Sequence, residues 1–161
     1  MYACRYGHKP TVDVLLNTPG VNINTTSNIR SALGNACSAD GDRTDIVTML
    51  LERGADVTYK HYVAVKLAIV QHNINCLRVL FDAIGPAMVH HVLNSRRVVG
   101  SSLLLQIACI KPNAAVVEFL IASGANVNRK NARGCTALHT VCQHVYVKDV
   151  DRHEDRKSTR L

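Results

Sequence analysis

The chain has no tryptophan, and phenylalanine and tyrosine together supply only seven of its 161 residues. A single compact core normally carries more aromatic bulk, so this interior must be filled by Leu, Val, Ile and Ala, as in layers of stacked short helices. No apolar run reaches the roughly 18 residues that a membrane-spanning helix needs. The opening Met1-Tyr2-Ala3-Cys4-Arg5 holds no apolar signal core. Glycines do not cluster into a phosphate-cradling loop; Gly100 and Gly134 stand alone. No paired carboxylates sit in apolar surroundings, since Asp149, Asp151, Glu154 and Asp155 alternate with Lys and Arg in the manner of a solvated segment. No Ser or Cys lies at a recognisable nucleophile spacing from a His, so nothing points to an enzyme. Acids are outnumbered, 12 against 19 Lys and Arg, and the net charge is +7. That balance admits an acidic partner without requiring one. Aromatic and basic residues are little interleaved and no reader motif occurs, which weighs against nucleic acid.

What is present is a phrase that returns. Ser123-Gly124-Ala125-Asn126-Val127-Asn128 is followed eight residues later by Thr136-Ala137-Leu138-His139, which reads as helix end, turn and new helix start. The same order appears at Gly54-Ala55-Asp56-Val57-Thr58 and, more loosely, at Gly20-Val21-Asn22-Ile23-Asn24. Apolar segments ending at Cys4, Cys37, Ile69, Cys109 and Cys142 are spaced by 33, 32, 40 and 33 residues. Each of the first four is followed by a second apolar helix: Val12/Leu15/Leu16, Ile46/Val47/Leu50/Leu51, Leu77/Leu80/Phe81 and Val116/Val117/Leu120/Ile121. Spacings of three and four put these on one helical face, which predicts that Leu50, Leu51, Leu120 and Ile121 are buried. A period near 33 is that of one helix-turn-helix unit, and such units bury their faces against their neighbours. Gly54 and Gly124 suit left-handed helix ends, Asn131-Ala132-Arg133-Gly134 suits a turn with positive φ at Gly134, and Thr136 suits a helix cap. The long interval holds Gly85-Pro86, and Pro86 is well placed to open a short extra helix over 86–94; one elongated finger is the alternative.

In these residues the chain resembles the ankyrin-repeat family. Thr136-Ala137-Leu138-His139, Gly7-His8 and Leu50-Leu51-Glu52-Arg53-Gly54-Ala55-Asp56-Val57 match its phrase best. The resemblance covers nearly the whole chain. It departs at copy three, where Lys66 takes the His position, and in the fingers before copies two, three and four, which lack the finger glycine. It implies an all-α solenoid of stacked helix-turn-helix units with β-turn fingers. The copies would lie at about 1–24 (partial), 27–58, 59–85, 99–128 and 132–161 (incomplete), with an insertion at 86–98. It also implies that His139 hydrogen-bonds Thr136 and nearby backbone to steady its finger.

Cys4, Cys37, Cys109 and Cys142 share one repeat position, just after the small Ala of the inner helix. There they read as buried small hydrophobes in an intracellular protein. Backbones stacked about 10 Å apart are too distant for disulfides, which need Cα atoms within about 7 Å. Cys135, His139, Cys142 and His144 mix zinc-type ligands, but His139 and Cys142 already have structural places and position 144 points away from their face, so no metal is assigned. No cofactor is implied. The fingers concentrate base: Arg30, Lys60, His61, Arg96, Arg97, Arg129, Lys130 and Arg133, against chiefly Asp56. The expected work is therefore non-catalytic protein binding by a monomeric scaffold, with the groove edge at Arg30, Lys60, Arg96, Arg97, Arg129, Lys130 and Arg133 receiving an acidic peptide or protein. The rival reading is a regulatory segment of a larger enzyme, channel or ubiquitin-ligase adaptor. After Cys142 the apolar rhythm fades. An eight-residue loop insertion would place Leu161 at the next closing pair, which favours a chain cut inside its last copy over a Ser158-Thr159-Arg160-Leu161 ligand for PDZ domains.

Overall fold

Apolar residues three and four apart cover only one stripe of a helix, so each helix here must lie against others to bury it. The computed structural model describes residues 2–25, 30–39, 41–95, 103–110 and 113–143. The helices run in pairs: α1 (Tyr2–Tyr6) with α2 (Lys9–Asn17), α3 (Ala32–Cys37) with α4 (Thr44–Glu52), α5 (Tyr59–Val70) with α6 (Ile74–Ile84), and α8 (Leu104–Ile110) with α9 (Ala114–Ala122). Between the last two pairs stands α7 (Pro86–Asn94), and residues 137–143 begin a further helix, α10. No strand forms among the described residues.

The packing has two layers. The first helices of the pairs stack in chain order, α1 on α3, α3 on α5, α5 on α8, and the second helices do the same, α2 on α4, α4 on α6, α6 on α9. Leu33, Val47, Leu50, Val65, Ile69 and Leu80 are almost fully enclosed between the layers. Short polar side chains cap the starts of α3, α6 and α9. Ser31 Oγ accepts from Gly34 N, and the Oδ1 atoms of Asn73 and Asn113 accept from the amides of Cys76 and of Ala115 and Val116. Pro86 opens α7, after Gly85 at φ 77°. Gly54 and Gly124 end α4 and α9 in the left-handed region, at φ 85° and 96°. The turn returns the amides of Gly54 and Ala55 to Leu51 and Leu50, and those of Gly124 and Ala125 to Ile121 and Leu120.

One asparagine side chain ties each of these two glycine turns to the copy before it. Asn24 donates to the Gly54 carbonyl (3.1 Å) and accepts from Asp56 N (2.8 Å). Asn94, at the end of α7, does the same to the Gly124 carbonyl (3.0 Å) and Asn126 N (2.8 Å). Asparagine and glycine are thirty residues apart both times. The extra helix therefore lengthens the chain without changing the step of the stack: α7 packs on α6 and α8 and delivers Asn94 to the place that Asn24 holds in the first copy.

The finger between α4 and α5 is shorter, nine residues from Gly54 to Val63 against twelve from Gly124 to Thr136. The chain closes the gap with a left-handed turn at Lys60, His61 and Tyr62, at φ 44°, 56° and 60°, so regular helix begins only at Val63. Side chains in that region cost about 1–2 kcal/mol per residue. Packing of Tyr62 against the core offsets part of this.

Two of the expected burials fail. Leu50 and Leu120 are enclosed, but Leu51 is half-buried and Ile121 is 44% exposed. Adjacent residues on a helix point about 100° apart, so only one of each pair faces the core. Leu15, on the outermost described pair, is exposed although its equivalents Leu50, Leu80 and Leu120 are not; among the described residues its helix packs on α1 and α4. Among the described residues no single helix is long and apolar enough to cross a membrane.

Leu120→Ala should destabilise the chain by about 2–5 kcal/mol through lost contact and the cavity left behind. Urea unfolding measures this. Ile121→Ala should cost well under half as much, which reverses the expectation from hydrophobic pattern alone.

Candidate partner-binding surface

The best-formed finger is built by asparagine. Asn126 Oδ1 accepts from Asn128 N (2.9 Å), and the Asn126 carbonyl accepts from Arg129 N (3.1 Å). Asn131 then closes a tight hairpin. Its Oδ1 accepts from the amides of Arg133 (2.9 Å) and Cys135 (3.0 Å), its own amide donates to the Cys135 carbonyl (2.9 Å), and its carbonyl accepts from Gly134 N (3.1 Å). Gly134 takes φ 76°, the positive value that such a turn requires at its end. Arg129, Lys130 and Arg133 project from this frame and are exposed.

The root of the finger is held from two sides. Thr136 Oγ1 lies 2.7 Å from His139 Nδ1, and Thr140 Oγ1 donates to the Thr136 carbonyl (3.1 Å). From the preceding copy, Gln106 Nε2 donates to the Cys135 carbonyl at 2.7 Å while Gln106 is only 1% exposed. Gln106 occupies the repeat position of His139, and its Oε1 accepts from Leu103 N as His139 Nδ1 does from Thr136 N. Sequence reasoning passed over Gln106. The signal was a lone amide inside Leu103-Leu104-Leu105-Gln106-Ile107-Ala108-Cys109, which only an internal hydrogen bond makes tolerable.

The other candidate cations are spread along the stack. Lys60 sits in the left-handed turn with its Nζ 5.6 Å from the centre of the Tyr59 ring, beside exposed His61. Arg30 is half-buried and donates to Ser38 Oγ at 3.1 Å, joining the two ends of α3. Arg96 and Arg97 lie outside the described residues. Asp56, the chief acid of the fingers, is engaged by Thr58, whose amide and hydroxyl both donate to its Oδ1. The structure thus brings Arg129, Lys130 and Arg133 together on one finger and sets Lys60 on another. The first helices give an uneven inner surface: every residue of α8 from Leu104 to Cys109 is buried, while Leu138 on α10 is 72% exposed.

Away from the fingers, α2 and α4 border an open groove of about 820 Å³. It is crossed by Lys9–Asp45 (3.4 Å) and Arg53–Asp13 (3.8 Å). Hydrogen bonds from Thr44 and Asn75 hold the Asp42 carboxyl at its edge below the usual carboxylate range. No periodicity announced this groove, because its charges come from two copies and meet only once these stack.

Of the four cysteines in the shared repeat position, Cys4, Cys37 and Cys109 are buried as expected, but Cys142 is exposed, with no described element packed over it. Cys76 is a further buried thiol. Burial pushes the thiols of Cys4, Cys37, Cys76 and Cys109 up, away from the reactive thiolate. No disulfide joins the described cysteines, and no group of three or more His, Cys, Asp or Glu is poised to hold a metal among the described residues. His144 of the mixed Cys/His cluster lies outside them.

Two family descriptions match the chain. "Ankyrin repeats (3 copies)" covers residues 1–90 and "Ankyrin repeats (many copies)" covers residues 105–150. No curated protein matches it.

Brief alkylation of the folded chain with iodoacetamide at pH 8 should label Cys135 and Cys142 and spare Cys4, Cys37, Cys76 and Cys109 until denaturant is added. Peptide mass mapping reads the result, and early labelling of Cys37 would contradict the stack.

Proposed function

Because the chain belongs to the ankyrin-repeat family, whose repeats are generally protein–protein interaction modules, we propose that it is a non-catalytic scaffold that takes an acidic peptide or protein segment along its finger edge. The observation that carries this reading is the hairpin 131–135. It presents Arg133, with Arg129 and Lys130 just before it, on a frame fixed by seven backbone or side-chain hydrogen bonds made by Asn131, Asn126 and Gln106. No acid lies between residues 126 and 136. A frame already ordered in the free protein spares the entropy of arranging the cations on binding. Lys60 carries the same charge on the finger between α4 and α5, and Arg96 and Arg97 fall in sequence between the two. Arg30, drawn in to Ser38, serves the edge less by direct contact than by stiffening α3. Buried reduced thiols suit a chain that works inside the cell.

Fluorescence anisotropy with a glutamate- and aspartate-rich peptide tests this. Reversing Arg129, Lys130 and Arg133 to Glu should weaken binding at least tenfold, and reversing Arg5, Lys9 and Arg53 should change it less than threefold. Equal losses from the two sets would reduce the interaction to net charge and overturn the proposal.

A further inference from the structure

The largest irregularity of the array opens a second surface. At Gly85 the chain turns so that α7 leaves α6 at 116°. The bend opens a groove of about 600 Å³ in the outer layer, between α6, the start of α7 and α9. Its floor holds both phenylalanines of the chain, Phe81 and Phe119, stacked with centroids 5.5 Å apart. Pro86 and Val89 form the α7 wall.

The rim is charged, with opposite signs one turn apart on α6. Arg78 reaches across to α9 and lays its guanidinium 5.5 Å from the centre of the Phe119 ring. Asp82 is exposed and makes no ion pair with a described residue. It stands in the last turn of α6, where the carbonyl end of the helix disfavours an acid. A basic group from outside would correct that placement, and an acidic group would complete Arg78. A rim of one sign would suit a membrane surface or nucleic acid, both uniformly anionic. Asp82 repels these. A rim of both signs around an aromatic floor matches a peptide that carries both charges.

We infer that this groove docks a helical segment of a partner protein, with an apolar anchor on Phe81 and Phe119, an acidic residue facing Arg78 and a basic residue facing Asp82. The charges set the direction of the bound helix as well as its register. The site belongs to the outer helices and is separate from the finger edge, so the two can be occupied independently.

The test is selection of phage-displayed helical peptides on the full chain, followed by affinity measurement with synthetic copies of the winners. Expected winners carry an apolar residue between an acid and a base. Asp82→Lys and Arg78→Glu should each weaken them at least tenfold, while the thermal midpoint moves little, rising slightly for Asp82→Lys at the helix end and falling slightly for Arg78→Glu, which loses the Phe119 ring contact. The double variant R78E/D82K should recover binding when acid and base are exchanged in the peptide. Winners indifferent to both substitutions, or a double variant that the exchanged peptide fails to rescue, would overturn the inference. So would sedimentation showing a dimer that Asp82→Lys dissociates, which would give the groove to a second copy of the chain.

Discussion

The amide of one asparagine, shared between the carbonyl of a glycine turn and an amide two residues beyond it, sets the step at two junctions, from the first copy to the second and from the third to the fourth. Asn24 does this for Gly54 and Asp56, and Asn94 for Gly124 and Asn126. A glycine turn leaves backbone groups at a helix end that helix geometry cannot pair. A side-chain amide, with its donor nitrogen and acceptor oxygen in fixed relation, satisfies both groups at once and fixes their distance from the previous copy. Apolar stacking alone would tolerate sliding, because Leu, Val and Ile surfaces are forgiving of small shifts. Two directional bonds at each of these turns are not. The same thirty-residue relation is kept on either side of α7, which shows that the insertion is accommodated by geometry already present.

The opposite edge of the stack carries its own ties. Gln71 donates to the Ser38 carbonyl, Asn73 to the Gly41 carbonyl, and Asn75 to Asp42 Oδ2, all from copy three onto the loop of copy two. One junction further back, Arg43 lies over Gly7, where even a methyl group would meet its guanidinium at 2.9 Å. The ties thus fall at both edges of the stack, at the glycine turns between copies one and two and three and four, and at the inter-helix loop between copies two and three. The functional consequence is preorganisation. The cations on the 126–136 finger stand on a frame that reaches, through Gln106, into the core of the copy before it.

Much of this was legible in the residues. The 33-residue interval came from the recurrence of a pattern along the chain, and the Thr136–His139 bond from the family resemblance. The glycines at 54 and 124 and the positive φ of Gly134 follow from local chemistry, because each is decided within a few residues of chain. Pro86 marked the start of α7 for the same reason. What escaped notice needed a second copy in place. Asn94 is unremarkable at the end of a helix until the turn thirty residues on is seen beneath it. Gln106 looks like an interruption of an apolar helix until the Cys135 carbonyl arrives. Ile121 and Leu51 looked buried because an apolar pair was read as two core residues where a helix turns one of them outward. The short finger at Lys60–Tyr62 could be counted as missing three residues, but the count did not say that a left-handed turn would make up the difference. The grooves beside α4 and α6 are likewise products of stacking and bending, and no run of sequence contains either.

Hydrogen exchange at two amides tests the asparagine step most directly. Asp56 and Asn126 are exposed residues whose amides donate to Asn24 and Asn94 at 2.8 Å, so both should exchange slowly despite their exposure. In Asn94→Ala, exchange at Asn126 should accelerate at least tenfold while Asp56 stays protected. An Asn126 amide that remains as slow as in the parent chain would show that stacking alone holds the register, and would contradict the role given to the clamp.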